Sequence, residues 1–211
     1  MNAPTILQYL ETVANEDPTL NLAMHLIILA ALLAVFLVKK ASLRRIVFQA
    51  SIWILLVSVT MRGIGYGYPL HAVTFGFLGI VAFVHLILNH NDVKPSDNRL
   101  QTTVSLLFIL CGLWYPEFMH KDGAARLLFS PVGVIPAPTL LAALGLMTLV
   151  YRGSGRLQYG LTIFMGLVYG AIGTFVLNVH LDITLLILTA FSVYIYFVHK
   201  DNSWNIGRGY R

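Results

Sequence analysis

The chain has almost no cysteine and little charge. Cys111 is the one thiol in 211 residues, so neither an internal disulfide nor a cysteine-rich metal site is expected. Asp, Glu, Lys and Arg together make up 11% of the residues, less than half of the roughly 25% found in soluble domains, which argues against a water-soluble globule. The formal charge is +5, but the basic residues sit in short connections between apolar runs and not among exposed aromatics. Nucleic acid is therefore not an expected partner. No Gly-x-Ser-x-Gly, His-Glu-x-x-His, P-loop or dinucleotide fingerprint occurs, so the common hydrolase and nucleotide chemistries lack their usual residues. The last apolar segment has no lysine before Lys200, which removes a retinal-type Schiff base. No cofactor is expected. Residues 1–21 hold three acids, Glu11, Glu16 and Asp17, and no Lys or Arg, unlike the basic start of a signal peptide. The inverted-repeat pattern of many transporters is also missing.

Apolar residues are abundant, at 57%. At about 20 residues per crossing, the chain has room for roughly seven spans and short connections, with no separate soluble domain. The expected fold is an all-α integral membrane protein: a bundle of about seven transmembrane helices with a short N-terminal interfacial helix and a proline-broken fifth span. Residues 1–21 form the non-cytoplasmic surface segment, where Ile6, Leu10 and Val13 recur at helical spacing. Residues 22–199 form the transmembrane domain and 200–211 a cytoplasmic tail. The spans read Leu22–Val38, Ile46–Met61, Pro69–Leu88, Leu100–Tyr115, the proline element, Leu157–Leu177 and Ile183–Val198.

The fifth element organises the rest. Pro131, Pro136 and Pro138 fall between Phe129 and Thr139, and proline inside a regular helix removes an N–H and clashes with the preceding turn. An extended entry followed by a helix starting near Pro138 accommodates them, because the first helical turn needs no internal donor. Thr139–Tyr151 alone reaches only about 20 Å of a core of about 30 Å, so the proline stretch must supply the remaining depth. Irregular backbone at that depth has to be buried in protein or to line a cavity.

Lys39, Lys40, Arg44, Arg45, Lys94, Arg99, Arg152, Arg156, Lys200, Arg208 and Arg211 fall on one side of this topology, against Arg62, Lys121 and Arg126 on the other. The asymmetry predicts an outside N-terminus and a cytoplasmic C-terminus in a cell inner membrane. Gly166 and Gly170 form a Gly-x-x-x-Gly pair, expected to let a neighbouring helix of the bundle approach closely. Tyr159, Tyr169, Tyr194 and Tyr196 read as aromatic belt or helix packing.

Ionisable groups within spans or at their ends are costly and often functional. The outer ends collect His25, Arg62, Tyr66, Tyr68, His71, Glu117, His120, Asn178, His180 and Asp182. Arg62, Tyr66, His71, Glu117, Thr139, His180 and Asp182 are the candidate ligand-binding residues. His25, His71, His120 and His180 are candidate metal ligands of a type suited to Zn, Cu, Ni or Fe, although no His-x-x-x-His pair puts two on one helix face. The alternative places these rings at the headgroup boundary. Arg62 pairs with Glu117 or Asp182, or holds an anion. His85 reads as a hydrogen-bonded imidazole on an apolar face.

Three fragments carry a family likeness: Tyr115-Pro116, Gly133-Val-Ile-Pro136-Ala137-Pro138-Thr139, and Asp182-Ile-Thr-Leu185-Leu186. In their order the chain resembles a bacterial family of small multipass membrane proteins catalogued only as a domain of unknown function. Ala137 stands where that family usually has cysteine, and Tyr66-Gly-Tyr68-Pro69 replaces its Tyr-His and Asn-Pro. The resemblance implies a multipass fold with an N-terminal surface segment, and no activity. The functional expectation is binding or translocation of a small polar solute or ion through an outer vestibule. The alternatives are a non-catalytic accessory subunit of a larger membrane complex, and a membrane-embedded metal-dependent enzyme using His71, His120, His180 and Asp182. The partners are the lipid bilayer and, in the accessory reading, other membrane subunits.

Overall fold

Helix starts follow the polar punctuation of the sequence. Asp17 accepts the Leu20 N–H at 3.0 Å and Pro18 takes the first helical position, while Asn98 accepts the Leu100 N–H at 3.0 Å. Both caps satisfy donors that the first turn leaves free. The computed structural model describes residues 3–89, 91–120, 125 and 128–206, with side chains 152 and 199–206 outside the description. The helices are α1 (Ala3–Glu16), α2 (Pro18–Leu37), α3 (Ala41–Gly65), α4 (Pro69–Leu88), α5 (Arg99–Leu113), α6 (Pro136–Leu149), α7 (Arg156–Ala171) and α8 (Asp182–Ile206). A π-helical turn, Ile172–Val176, extends α7. No strand occurs among the described residues.

Four of these helices are long and apolar enough to cross a membrane: α2, α3, α4, and α7 with its π turn. The segments Arg99–Leu113, Pro136–Leu149 and Asp182–Val198 are apolar but shorter. Leu26, Val73, Ile80 and Phe175 point outward among many other large apolar side chains. Such a surface suits a bilayer and not water.

From α2 to α8 the helices alternate in direction. One end carries α1, the α3–α4 turn and the start of α8; there Tyr68 Oη donates to the Thr5 carbonyl at 2.9 Å and Asn21 Nδ2 to the Phe129 carbonyl at 2.9 Å. The other end carries the basic α2–α3 turn and the 89–98 connection, where Ser96 N donates to the Leu149 carbonyl at 2.8 Å. α6 runs through the centre. All fourteen of its residues are buried, enclosed mainly by α5, α7 and α8.

Several boundaries move from their sequence-based places. α2 begins at Pro18 and not Leu22, because Asp17 caps it. α3 begins at Ala41 and takes in Arg44 and Arg45, which were expected in a loop. α6 starts at Pro136, two residues before Pro138; with both prolines in the first turn, no hydrogen bond inside the helix is lost. The irregular entry from Ser130 to Ile135 is buried, as expected of such backbone. Its polar groups turn inward: Val134 N and Ile135 N both donate to the Pro131 carbonyl at 3.1 Å. Gly133 has φ +74° and packs so closely on Met24 that a Cβ would lie 2.5 Å from Met24 Cγ. Gly166 and Gly170 face inward, against Thr189 and Leu144, and against Leu186. They serve the close packing within the bundle for which their spacing was read. Lys121, Arg126, Arg208 and Arg211, used in the loop charge count, lie outside the described residues, as does the Lys200 side chain.

Candidate functional site

Asp182 opens α8 and is only 5% exposed. Its Oδ1 accepts a short hydrogen bond from the Tyr115 phenol, which reaches in from the end of α5. The carboxylate lies directly on Gly173 in the π turn, and a side-chain carbon at that position would occupy the space of Oδ2. Glycine is thus required for contact more than for conformation. π turns often mark sites where a helix has been bent to a task.

In front of Asp182 is a cavity of about 60 Å³. Its polar lining comes from His71, Tyr169 and Asp182, and its apolar walls include Phe118, Pro136 and Ala137. Ile6 and Leu10 of α1 close it from outside. α1 is held there by Tyr9, whose ring stacks on Tyr68 with centroids 3.6 Å apart and stands 5.5 Å from His71. Burial and the neighbouring phenols of Tyr68, Tyr169 and Tyr66 push the Tyr9 hydroxyl well above its usual range, so it stays a neutral donor and acceptor. His71 in turn packs on Tyr169, which shares a 2.7 Å hydrogen bond with Thr74.

The expected site residues divide into those the fold gathers and those it does not. His71 and Asp182 meet at the cavity. Thr139 lies behind it in a structural role: its hydroxyl donates to the Ile135 carbonyl at 2.6 Å and accepts the Gly133 N–H at 2.8 Å. Thr139→Val keeps the shape and removes both bonds, so the thermal unfolding midpoint should fall by an amount equal to about 1–3 kcal/mol. An unchanged midpoint would show that the proline turn holds without this tie.

Arg62 was read as a partner of Glu117 or Asp182. It pairs instead with Glu16 at 2.7 Å and Asp17 at 3.2 Å, because the α1–α2 corner folds over the end of α3 and brings those acids first. Tyr66 belongs to the same corner, with its ring edge-on to Tyr9 at 5.7 Å. Glu117 and His180 are exposed, and the His180 ring bonds only to the nearby Asn178 carbonyl at 3.0 Å.

The four histidines do not assemble. His25 lies between the Asn21 and Leu113 carbonyls at 2.8 and 3.0 Å, and His120 pairs with Glu11 at 2.5 Å. Among the described residues no three His, Cys, Asp or Glu side chains form a metal-binding group. His85 is hydrogen-bonded, as expected: its Nε2 lies 3.5 Å from the Gly153 backbone carbonyl and 2.7 Å from Asn89 Nδ2.

No family model, curated protein or solved structure matches this chain. The three fragments singled out in the sequence nevertheless meet here: Tyr115 bonds Asp182, and Ile135, Pro136 and Ala137 line the same cavity. Tyr9, Phe118, Tyr169 and Gly173 were missed as site residues. Tyr169 and Gly173 had a signal, since the first lies within the Gly166–Gly170 pair and the second just beyond it.

A roomier opening, of about 670 Å³, lies at the opposite end between Phe36, Arg44, Asp92, Lys94 and Tyr151. Arg44 is buried there and grips Asp92 through Nε at 3.1 Å and Nη2 at 2.5 and 2.6 Å, while Nη1 donates to the Val38 carbonyl at 3.0 Å. The guanidinium holds the Asp92 carboxyl below the usual carboxylate range, helped by Lys94. This pair ties the 89–98 connection to α3.

Proposed function

We propose that this is a seven-span protein of the cell inner membrane, with α2 to α8 crossing, α1 lying on the outer surface, and the cavity at Asp182 binding a small solute. The alternating directions of the helices support the topology, and the gathering of Lys39, Lys40, Arg44, Lys94, Arg99 and Arg156 at one end favours a cytoplasmic side there. α5 and α6 are short for a crossing; the irregular chain beyond Leu113 would add reach to α5, and the chain before Pro136, buried from Ser130 to Ile135, would add it to α6.

The observation that carries the binding role is the Asp182 carboxylate. It is buried, bonded at Oδ1 to Tyr115 and otherwise turned to an apolar cavity. A buried carboxylate is costly unless it is paired or hydrogen-bonded, and half of this one is left for something else. The α6 helix fills the centre of the bundle with buried side chains, which favours binding over passage. The cavity has the volume of a few heavy atoms, since one water occupies about 30 Å³ of liquid.

The test is thermal unfolding of the purified chain in lipid nanodiscs against cationic, neutral and anionic small solutes. One class should raise the midpoint of the parent but not of Gly173→Ala, whose methyl displaces the carboxylate. If no class protects the parent, the binding role is wrong.

A further inference from the structure

We infer that the solute bound at Asp182 is a small ammonium ion, ammonium itself or methylammonium. The inference rests on the binding role above and adds the chemistry of the ligand. Four features of the cavity point the same way.

The first is charge. Asp182 supplies a carboxylate oxygen, and among the described residues no Lys or Arg lines the cavity. Arg62, the basic residue at this end with a described partner set, is occupied by Glu16 and Asp17. An anion entering the cavity would meet a buried carboxylate with no cation among the described lining residues.

The second is the start of α6. A helix N-terminus ordinarily attracts anions through its free N–H groups, but Pro136 and Pro138 remove two of the first three donors. Ala137 keeps its N–H, so the positive end is weak where it faces the cavity.

The third is the wall. Phe118 and Tyr169 line the cavity, and Tyr115 lies against Phe118 with ring centroids 6.4 Å apart. Aromatic faces beside a carboxylate favour an organic cation, which gains from the ring quadrupoles as well as from the charge. A metal ion would need several hard donors, and the described residues form no such group.

The fourth is size and hydrogen bonding. At about 60 Å³ the cavity suits a ligand of a few heavy atoms. An ammonium N–H can donate to Asp182 Oδ2, and His71, whose Nδ1 faces Tyr9 Oη at 3.5 Å, can accept a second one at Nε2 when Nδ1 donates to that hydroxyl.

The experiment measures binding of radiolabelled methylammonium to the full chain in nanodiscs of phosphatidylglycerol, a lipid without an amine. Saturable binding is expected in the parent and in Asp97→Asn, an exposed acid at the opposite end. Asp182→Asn, which can still accept from Tyr115, should weaken it by about tenfold or more. Ala137→Ile, which adds bulk to the cavity wall and leaves Asp182 in place, should also abolish it, and keeps the test open should Asp182→Asn fail to fold. Absence of saturable binding to the parent, or equal binding to the parent and Ala137→Ile, would overturn the assignment. Protection by a neutral or anionic solute without methylammonium binding would overturn the ammonium and leave the cavity a binding site. Protection by no solute would remove both.

Discussion

Gly112→Leu should leave no folded bundle, while Gly65→Ala should be neutral. Gly112 lies where α5 crosses the first turns of α6, and a Cβ there would stand 2.8 Å from the Pro138 carbonyl oxygen and 2.9 Å from the Ala142 nitrogen. Both are backbone atoms of a helix with no room to move, since α6 is buried on every side. Gly145 repeats the arrangement from the α6 side, 2.7 Å from Ile109 Cγ1. A residue added to a packed core usually costs about 1–3 kcal/mol through forced shifts; separating two helix backbones belongs at or above the upper limit. Gly65 meets nothing within 4 Å, and alanine is the better helix former there. Size-exclusion profiles and unfolding midpoints of the two variants in detergent provide the comparison. Similar profiles would mean that α5 and α6 can separate without loss, and that the central position of α6 is not what holds the bundle.

Arg44→Met is the second large expected effect, and it should depend on pH. Methionine keeps much of the arginine stem but leaves Asp92 without its main partner. Breaking a buried pair costs about 3–5 kcal/mol, and exposed pairs contribute about 0–1. With the Arg44 side chain 10% and the Asp92 side chain 33% exposed, a loss of about 2 kcal/mol lies between those limits. The Asp92 pKa is lowered in the folded chain, so its contribution is present above the ordinary carboxylate pKa of about 4 and fades as pH falls below that value. Parent and variant midpoints should therefore differ at neutral pH and converge in acid. A difference that persists in acid would assign the effect to packing of the arginine stem or to the Val38 carbonyl bond.

The long helices could be read in the sequence because hydropathy alone marks them: α4 begins and ends at the expected residues. The start of α6 was legible to within two residues, since proline is favoured in the first helical turn and Pro136 and Pro138 both stand there. Asp182 and His71 stood out as costly residues near span ends. Their partners did not. Tyr115 is 67 residues from Asp182 and Asp92 is 48 residues from Arg44, and no local period links residues that far apart. Arg62 shows the same limit, because Glu117 and Asp182 were the expected acids and only the path of α1 brings Glu16 and Asp17 to it instead. The histidines failed as a set for a related reason. Shared depth in a bilayer places side chains in a layer, while a metal needs them around a point.

The burial of α6 also bears on how the chain is made. In the seven-span topology proposed above, a newly synthesised segment ending at Leu149 would present Pro136–Leu149 to the translocon before α7 and α8 exist to cover it. Only about 21 Å long as a helix, and preceded by unwound backbone, it is poorly suited to wait alone among acyl chains. Its insertion is thus tied to later translation: α7 and α8 must emerge before the middle of the molecule can close, and a ribosome stalled between them would hold a protein with its centre still open.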